Sequence, residues 1–152
     1  MSACRPTSAS PSRWSCSGAA DAVTAARLRR ELQRWLRDAT EASAEARDDV
    51  VLGVHEALAN CVEHAYRGRH AAGTMTVQAG HDPVGHSISV CVSDRGSWNR
   101  PSRKNRDDPR SSRGITLMRA LADHCTIDVR TNGTVVRLDY TYDSLSRHSY
   151  AG

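Results

Sequence analysis

The sequence predicts an α+β sandwich with a single sheet layer, and three observations carry that prediction. Three stretches repeat their apolar residues at helical spacing. Four short runs alternate apolar and polar residues at strand spacing, and turn residues join those runs into two hairpins. Helices mixed with hairpin-linked strands, in a chain of 152 residues, fit one domain with helices laid on one sheet.

The elements follow in order. Residues 1–14, rich in Ser, Ala and Pro, read as a flexible tail, with a short strand near Trp14–Ser17. The first helix spans Asp21 to about Ala39, its apolar stripe formed by Val23, Leu28, Leu32, Trp35 and Leu36. A second helix runs from near Ala44 to about Tyr66, with Val51, Val54, Leu58, Cys61, Val62 and Ala65 on its apolar face and Gly68 as its stop. Thr74–Ala79 and Ser87–Ser93 form a hairpin around His81–Gly85. Residues 95–112 lack an apolar period and contain Pro101 and Pro109, so they read as a long loop. Ser111 or Ser112 caps a third helix, whose buried face comprises Ile115, Leu117, Met118, Leu121 and Ala122. Thr126–Arg130 and Thr134–Tyr140 close the domain as a hairpin around Asn132-Gly133, a type I′ turn signal. The domain therefore occupies residues 15–142, and residues 143–152 form a polar tail.

Composition narrows the function classes. The apolar share is 39% with no Phe, so the core rests on Val, Leu, Ile, Ala and a few Trp. No run of about 18 apolar residues is present, and the first twenty residues lack the apolar stretch of a secretion signal. A cytoplasmic protein is expected. Five scattered cysteines without a CxxC pair point to neither a disulfide framework nor a zinc site, and Cys61, Cys91 and Cys125 read as small hydrophobes. Seven histidines without HxxxH or HExxH spacing suggest no metal cluster, and His64 reads as a packed helix residue. The net charge of +4 is concentrated between Arg95 and Arg113, where seven basic residues face two acidic ones. Such a loop suits nucleotide phosphates or an acidic partner. A nucleic-acid role is disfavoured, because Trp98 is the only interleaved aromatic and no DNA-reading motif is present.

Four motifs could carry chemistry. On the second helix, Glu56 and Asn60 lie four apart on one face, with His64 four further on. An amide oxygen can ligate Mg²⁺, and a carboxylate can orient or deprotonate a nucleophile. At a strand end, Asp94-Arg95-Gly96 offers a carboxylate able to accept from the amino group of adenine, with Gly96 allowing close backbone approach. Ser111-Ser112-Arg113-Gly114-Ile115 is a small-residue entry into a helix, a place where free N–H groups suit phosphate. Thr134, after Gly133, could reach a phosphate if its turn faces the pocket. Each alone also fits a plain structural role: a solvated helix face, a turn, a cap, a hairpin.

Their order is more specific. Glu56-Ala57-Leu58-Ala59-Asn60 with His64-Ala65-Tyr66 resembles the N box of anti-sigma-factor serine/threonine kinases of the general-stress and sporulation systems, the RsbW and SpoIIAB type within the GHKL (HATPase_c) superfamily. Asp94-Arg95-Gly96 resembles their adenine box, Arg113–Met118 their second glycine box, and Gly133–Leu138 their closing segment. The resemblance spans roughly residues 15–140. It implies a Bergerat ATP-binding fold, a two-layer α/β sandwich whose mixed, mostly antiparallel sheet is covered on one face by about three helices. It further implies ATP and Mg²⁺ as cofactors, Asn60 on the Mg²⁺, Glu56 as base for the attacking hydroxyl, and Asp94 with Gly96 at adenine. Residues 97–112 would be the ATP lid, and Gly114 would open the phosphate-binding helix, flanked by Arg113 and Ile115. Implied partners are a sigma factor, an anti-anti-sigma protein of the STAS type, and a second copy of the chain. Neither nucleic acid nor membrane is implied. No phosphoacceptor-His hairpin precedes the domain, which argues against a complete histidine kinase.

The chain departs from the pattern at Trp98 and Ser112, where glycines are common, and its lid is Arg-rich. Two functions therefore stand: an ATP-dependent kinase and anti-sigma factor, or a partner-switching module that binds without turning ATP over.

Overall fold

The computed structural model describes residues 12–68, 73–95, 109–130 and 133–143, with the side chains of 64–68 and 109–112 outside that description. Gly96, Trp98, the lid segment 97–108, residues 1–11 of the expected N-terminal tail and residues 144–152 all lie outside the described residues. The elements are β1 (Ser12–Ala19), α1 (Ala22–Ala39), α2 (Ala44–Gly68), β2 (Thr74–Asp82), β3 (Ser87–Arg95), α3 (Pro109–Leu121), β4 (His124–Arg130) and β5 (Gly133–Thr141). They form the two-layer α+β sandwich. Five strands lie in the order β1-β2-β3-β5-β4, and all four ladders run antiparallel.

Each helix forms where local signals and an apolar stripe agree. Asp21 caps α1 by accepting from Thr24 N at 2.7 Å, a bond that lowers its carboxyl pKa. Leu28, Leu32 and Leu36, four apart, are fully buried along α1. Val23 was expected on the same stripe but is 81% exposed. Five residues before Leu28 it has turned about 140° from the buried line, so it faces solvent. Thr40 ends α1, its N–H and hydroxyl both donating to Leu36 O. Ser43 then caps α2 by accepting from Ala46 N.

Sheet and helices meet across one apolar layer. Met75, Val77 and Ala79 from β2, Ile88, Val90 and Val92 from β3, and Val136, Leu138 and Tyr140 from β5 point inward. Val50, Val54, Ala57, Leu58 and Cys61 of α2 are buried against that layer. Helix α1 packs over β1, α2 over β3 and β5, and α3 against α2 and β4. The opposite sheet face carries Ser, Thr, Gln and Arg, and Cys91 lies on that face rather than in the core. Alternation of side chains across a strand fixes both faces at once.

Several boundaries differ from the sequence reading. Ser12 and Arg13, expected in the tail, belong to β1, because pairing with β2 extends to Ser12↔His81, and Trp14 stacks on Trp35 with ring centroids 6.3 Å apart. His81, expected in a turn, is a buried β2 residue hydrogen-bonded to Tyr142 Oη at 2.5 Å. Gly133, expected in the turn with Asn132, pairs with Arg130 inside the β4–β5 ladder. Helix α3 opens at Pro109, not at Ser111 or Ser112; a first-turn proline is pre-set for helical φ and has no N–H to leave unpaired.

The α2–β5 contact is set by a glycine. A Cβ on Gly53 would collide with the Tyr140 hydroxyl, which is buried and has no hydrogen-bond partner among the described residues. Burial pushes the Tyr140 phenol well above its ordinary pKa. Removing an unsatisfied buried hydroxyl removes its desolvation cost, so Tyr140→Phe is expected to stabilise the fold by about 1 kcal/mol in urea unfolding. Gly53→Ala is expected to destabilise it, and to do so less in the Tyr140→Phe background; equal losses in both backgrounds would contradict this contact.

Candidate functional site

The site is built on α2, which carries Glu56 and Asn60 half-buried on its side next to α3. Their four-residue spacing stacks them one turn apart. Opposite them lies Gly114 of α3. A Cβ at Gly114 would stand 3.1 Å from Glu56 Oε1 and 3.8 Å from Asn60 Nδ2. The glycine therefore lets α3 close onto the acid–amide pair, and its buried position leaves no room for a larger residue without moving Glu56.

This differs from the role that the sequence assigned to Gly114. Because α3 opens at Pro109, Gly114 lies in its second turn, where its N–H is committed to the helical ladder. It does not open the helix. The free N–H groups of α3 belong to the first turn, five residues earlier. Arg113 is exposed beside Gly114, while Ile115 is half-buried and packs against the core.

Asp94 forms the second part of the site. It is the last inward residue of β3 and is only 8% exposed. The β3–β5 ladder ends at Ser93↔Val135, and Asp94 extends the contact with its side chain: Oδ1 accepts from Thr134 N at 2.9 Å. Gly133 adopts φ 156°, and a Cβ there would strike the Asp94 carbonyl oxygen, so β5 starts with the one residue that fits. Thr134 is thus placed at the Asp94 carboxylate. Its Oγ1 is buried and finds no hydrogen-bond partner among the described residues.

Cys61 joins the two parts, and sequence reasoning missed it. One residue beyond Asn60, it turns about 100° toward the sheet. It is 5% exposed and lies close to Asp94. Burial, with the Asp94 charge next, pushes the thiol pKa well above its ordinary value. The signal was half visible: Cys61 lay on the apolar stripe of α2, but nothing in the linear sequence tied it to Asp94.

The arrangement brings Glu56, Asn60 and Gly114 together on one side and Asp94, Thr134 and Cys61 on the other, with α2 common to both. A separate concavity of about 500 Å³ lies on the open face of the sheet, lined by Arg13, Gln78, Ser89, Arg137 and Asp139 among others. Asp94 and Thr134 point to the opposite face, so that hollow is not part of this site.

Comparison with known proteins follows the same outline. Residues 18–140 match the family model of the histidine kinase-like ATPase domain. No curated protein matches the chain. Among solved structures, the chain is similar to the RsbU and RsbW domains of Rv1364c from Mycobacterium tuberculosis, with a TM-score of 0.66, 24% identity, and coverage of 86% of this chain and 32% of that one. It also matches the histidine kinase domain of a blue-light activated histidine kinase from Erythrobacter litoralis, with a TM-score of 0.49, 24% identity, and coverage of 68% and 46%. The chain spans about a third of the length of the first structure, and the likeness is one of fold: that of the GHKL ATPases. Among the described residues, no helix is long and apolar enough to cross a membrane.

The close approach at Gly114 gives a direct test. A Gly114→Val side chain must displace Glu56 and Asn60, an overpacking of about 1–3 kcal/mol. The variant is expected to bind Mg–ATP about tenfold more weakly in a titration while keeping its far-ultraviolet helix signal. Unchanged affinity would separate Gly114 from the site.

Proposed function

Because the chain belongs to the histidine kinase-like ATPase domain family, we propose that it binds ATP and Mg²⁺ between α2, α3 and Asp94 and uses them as an anti-sigma factor with serine/threonine kinase activity. The observation that carries this reading is the acid–amide pair Glu56 and Asn60 closed over by Gly114, with Asp94 one helix residue away through Cys61. Two features fit a nucleotide: the buried Thr134 Oγ1 with no partner among the described residues, and the glycine contact that a Cβ would fill. The N-box resemblance, Glu56 to Asn60 with His64-Ala65-Tyr66, favours the RsbW type, and the fold likeness to a protein containing an RsbW domain is in keeping with it.

The residues divide the work by chemistry. The Asn60 amide oxygen is a neutral ligand for Mg²⁺, which avoids setting a further anion beside a triphosphate. The Glu56 carboxylate holds the proton released by an attacking serine or threonine hydroxyl. The Asp94 carboxylate accepts from the amino group of adenine, and Thr134 supports it. Arg113, exposed on α3, stands ready to meet phosphate oxygens, for which a guanidinium is well shaped. When bound, Mg–ATP supplies the phosphoryl group and neutralises its charge. The proposed partners are a sigma factor, a STAS-domain anti-anti-sigma protein as phosphoacceptor, and a second copy of the chain, all in the cytoplasm.

One observation favours the alternative of a partner-switching module without turnover. Gly114 sits inside α3 rather than at its first turn, which takes its N–H away from a phosphate. Variants distinguish the readings. Glu56→Ala is expected to retain Mg–ATP binding and to lower transfer to a purified STAS-domain protein about 100-fold or more, followed with radiolabelled ATP. Asn60→Ala is expected to lower both. Undiminished transfer by Glu56→Ala removes it as the base. Binding without transfer by the unaltered protein favours the second reading.

A further inference from the structure

The open face of the sheet carries a hollow of about 500 Å³ that the nucleotide reading leaves unused. Strand register explains its shape. It aligns Arg13, Gly80, Ser89 and Asp139 in one row across β1, β2, β3 and β5, and Gln78, Cys91 and Arg137 in the next. The floor is low because Gly80 has no side chain, and a Cβ built there would meet nothing within 4 Å. The rim is long and charged, with Arg13 on β1 and Arg137 and Asp139 on β5. The space equals the share of roughly seventeen liquid waters, enough for a small molecule.

The rim charges are not spent on holding the fold. Among the described residues, neither Arg13 nor Arg137 forms an ion pair or a hydrogen bond. Asp139 Oδ1 accepts from Ser89 Oγ at 2.7 Å, which orients the carboxylate on the rim. Arg137 and Asp139, two apart on β5, stand about 7 Å from each other on one face. A guanidinium and a carboxylate so placed match the two charges of an α-amino acid, one taking its carboxylate and the other its ammonium. Arg13 lies three strands away, about 16 Å from Arg137 between Cα atoms, so only an extended molecule with a second acid group bridges them. Gln78, which both donates and accepts, stands between and suits a peptide bond better than hydrocarbon. Trp14 is the one aromatic residue of the lining, and its ring is stacked on Trp35, so no ring is offered to a nucleobase.

We propose that this hollow binds a small, extended molecule with an α-amino-acid head and a carboxylate at its far end, the chemistry of a γ-glutamyl tripeptide. Arg137 and Asp139 take the head, Gln78 the middle, and Arg13 the far carboxylate. The site is independent of the nucleotide site, because Asp94 and Thr134 point to the opposite face of the sheet.

γ-Glutamyl-alanyl-glycine carries both ends and no thiol, and its titration into the 152-residue chain is followed by amide chemical shifts. Saturable shifts centred on Gly80, Ser89 and Cys91, with a Kd on the order of 100 µM, are expected. Gly80→Leu fills the hollow where a Cβ meets no neighbour, so it is expected to abolish those shifts and leave the Mg–ATP titration as it was. Arg13→Gln is expected to weaken binding about tenfold. Glutaryl-alanyl-glycine, which lacks only the ammonium, is expected to bind the unaltered protein about fivefold more weakly and to match the parent peptide in Asp139→Asn. Shifts that never saturate, or that persist in Gly80→Leu, overturn the proposal. A sedimentation mass of two chains that Gly80→Leu reduces to one also overturns it, and gives this face to a second copy.

Discussion

Successive residues of a helix point about 100° apart, and α2 uses that turn to hold the site together. Asn60 looks toward Gly114 on α3, and Cys61 looks toward Asp94 on β3. The spacing between the acid–amide pair and the strand carboxylate is therefore not set by loops. It is set by how deeply α2 sits on the sheet, and that depth is fixed by Val54, Ala57 and Leu58 below it and by the absence of a side chain at Gly53 under Tyr140. Close-packed interiors transmit small displacements, so a shift of α2 would move both halves of the site together.

The same layer explains the burial of polar groups next to an apolar core. A carboxylate at 8% exposure is costly unless donors meet it, and β5 provides one through Thr134 N. Gly133 and Gly114 make opposite sides of this possible by removing Cβ atoms where backbone and side chain must touch. Two of the chain's glycines thus act at the site through close approach, one in each layer. The open sheet face, lined with Ser, Gln and Arg, carries none of this machinery and stays polar.

Much of the fold could be read from periodicity. Leu28, Leu32 and Leu36 on α1 and the alternation Ile88, Val90, Val92 on β3 each had one consistent interpretation, and burial follows them. Boundaries were harder. Ser12 and Arg13 have no apolar signal of their own and join the sheet because β2 offers an edge. Ordered motifs singled out Glu56, Asn60, Asp94 and Gly114 as candidates, and the structure brings Glu56, Asn60 and Gly114 together. What linear order could not supply was contact across layers. It gave Gly114 the role of a helix opener, where the structure uses it to admit Glu56. It pointed Thr134 to a phosphate, where the structure sets it on Asp94. It read Cys61 as a small hydrophobe, which its burial in the core bears out, but nothing local marked its nearness to Asp94 thirty-three positions away.

The central claim is that these layers converge on one nucleotide site, and calorimetric titration of the unaltered protein with Mg–ATP tests it most directly. Saturable heat with one nucleotide per chain, abolished by Asp94→Ala in a protein that remains folded, is the predicted result. Heat that never saturates, or saturable binding that survives Asp94→Ala unchanged, would contradict it.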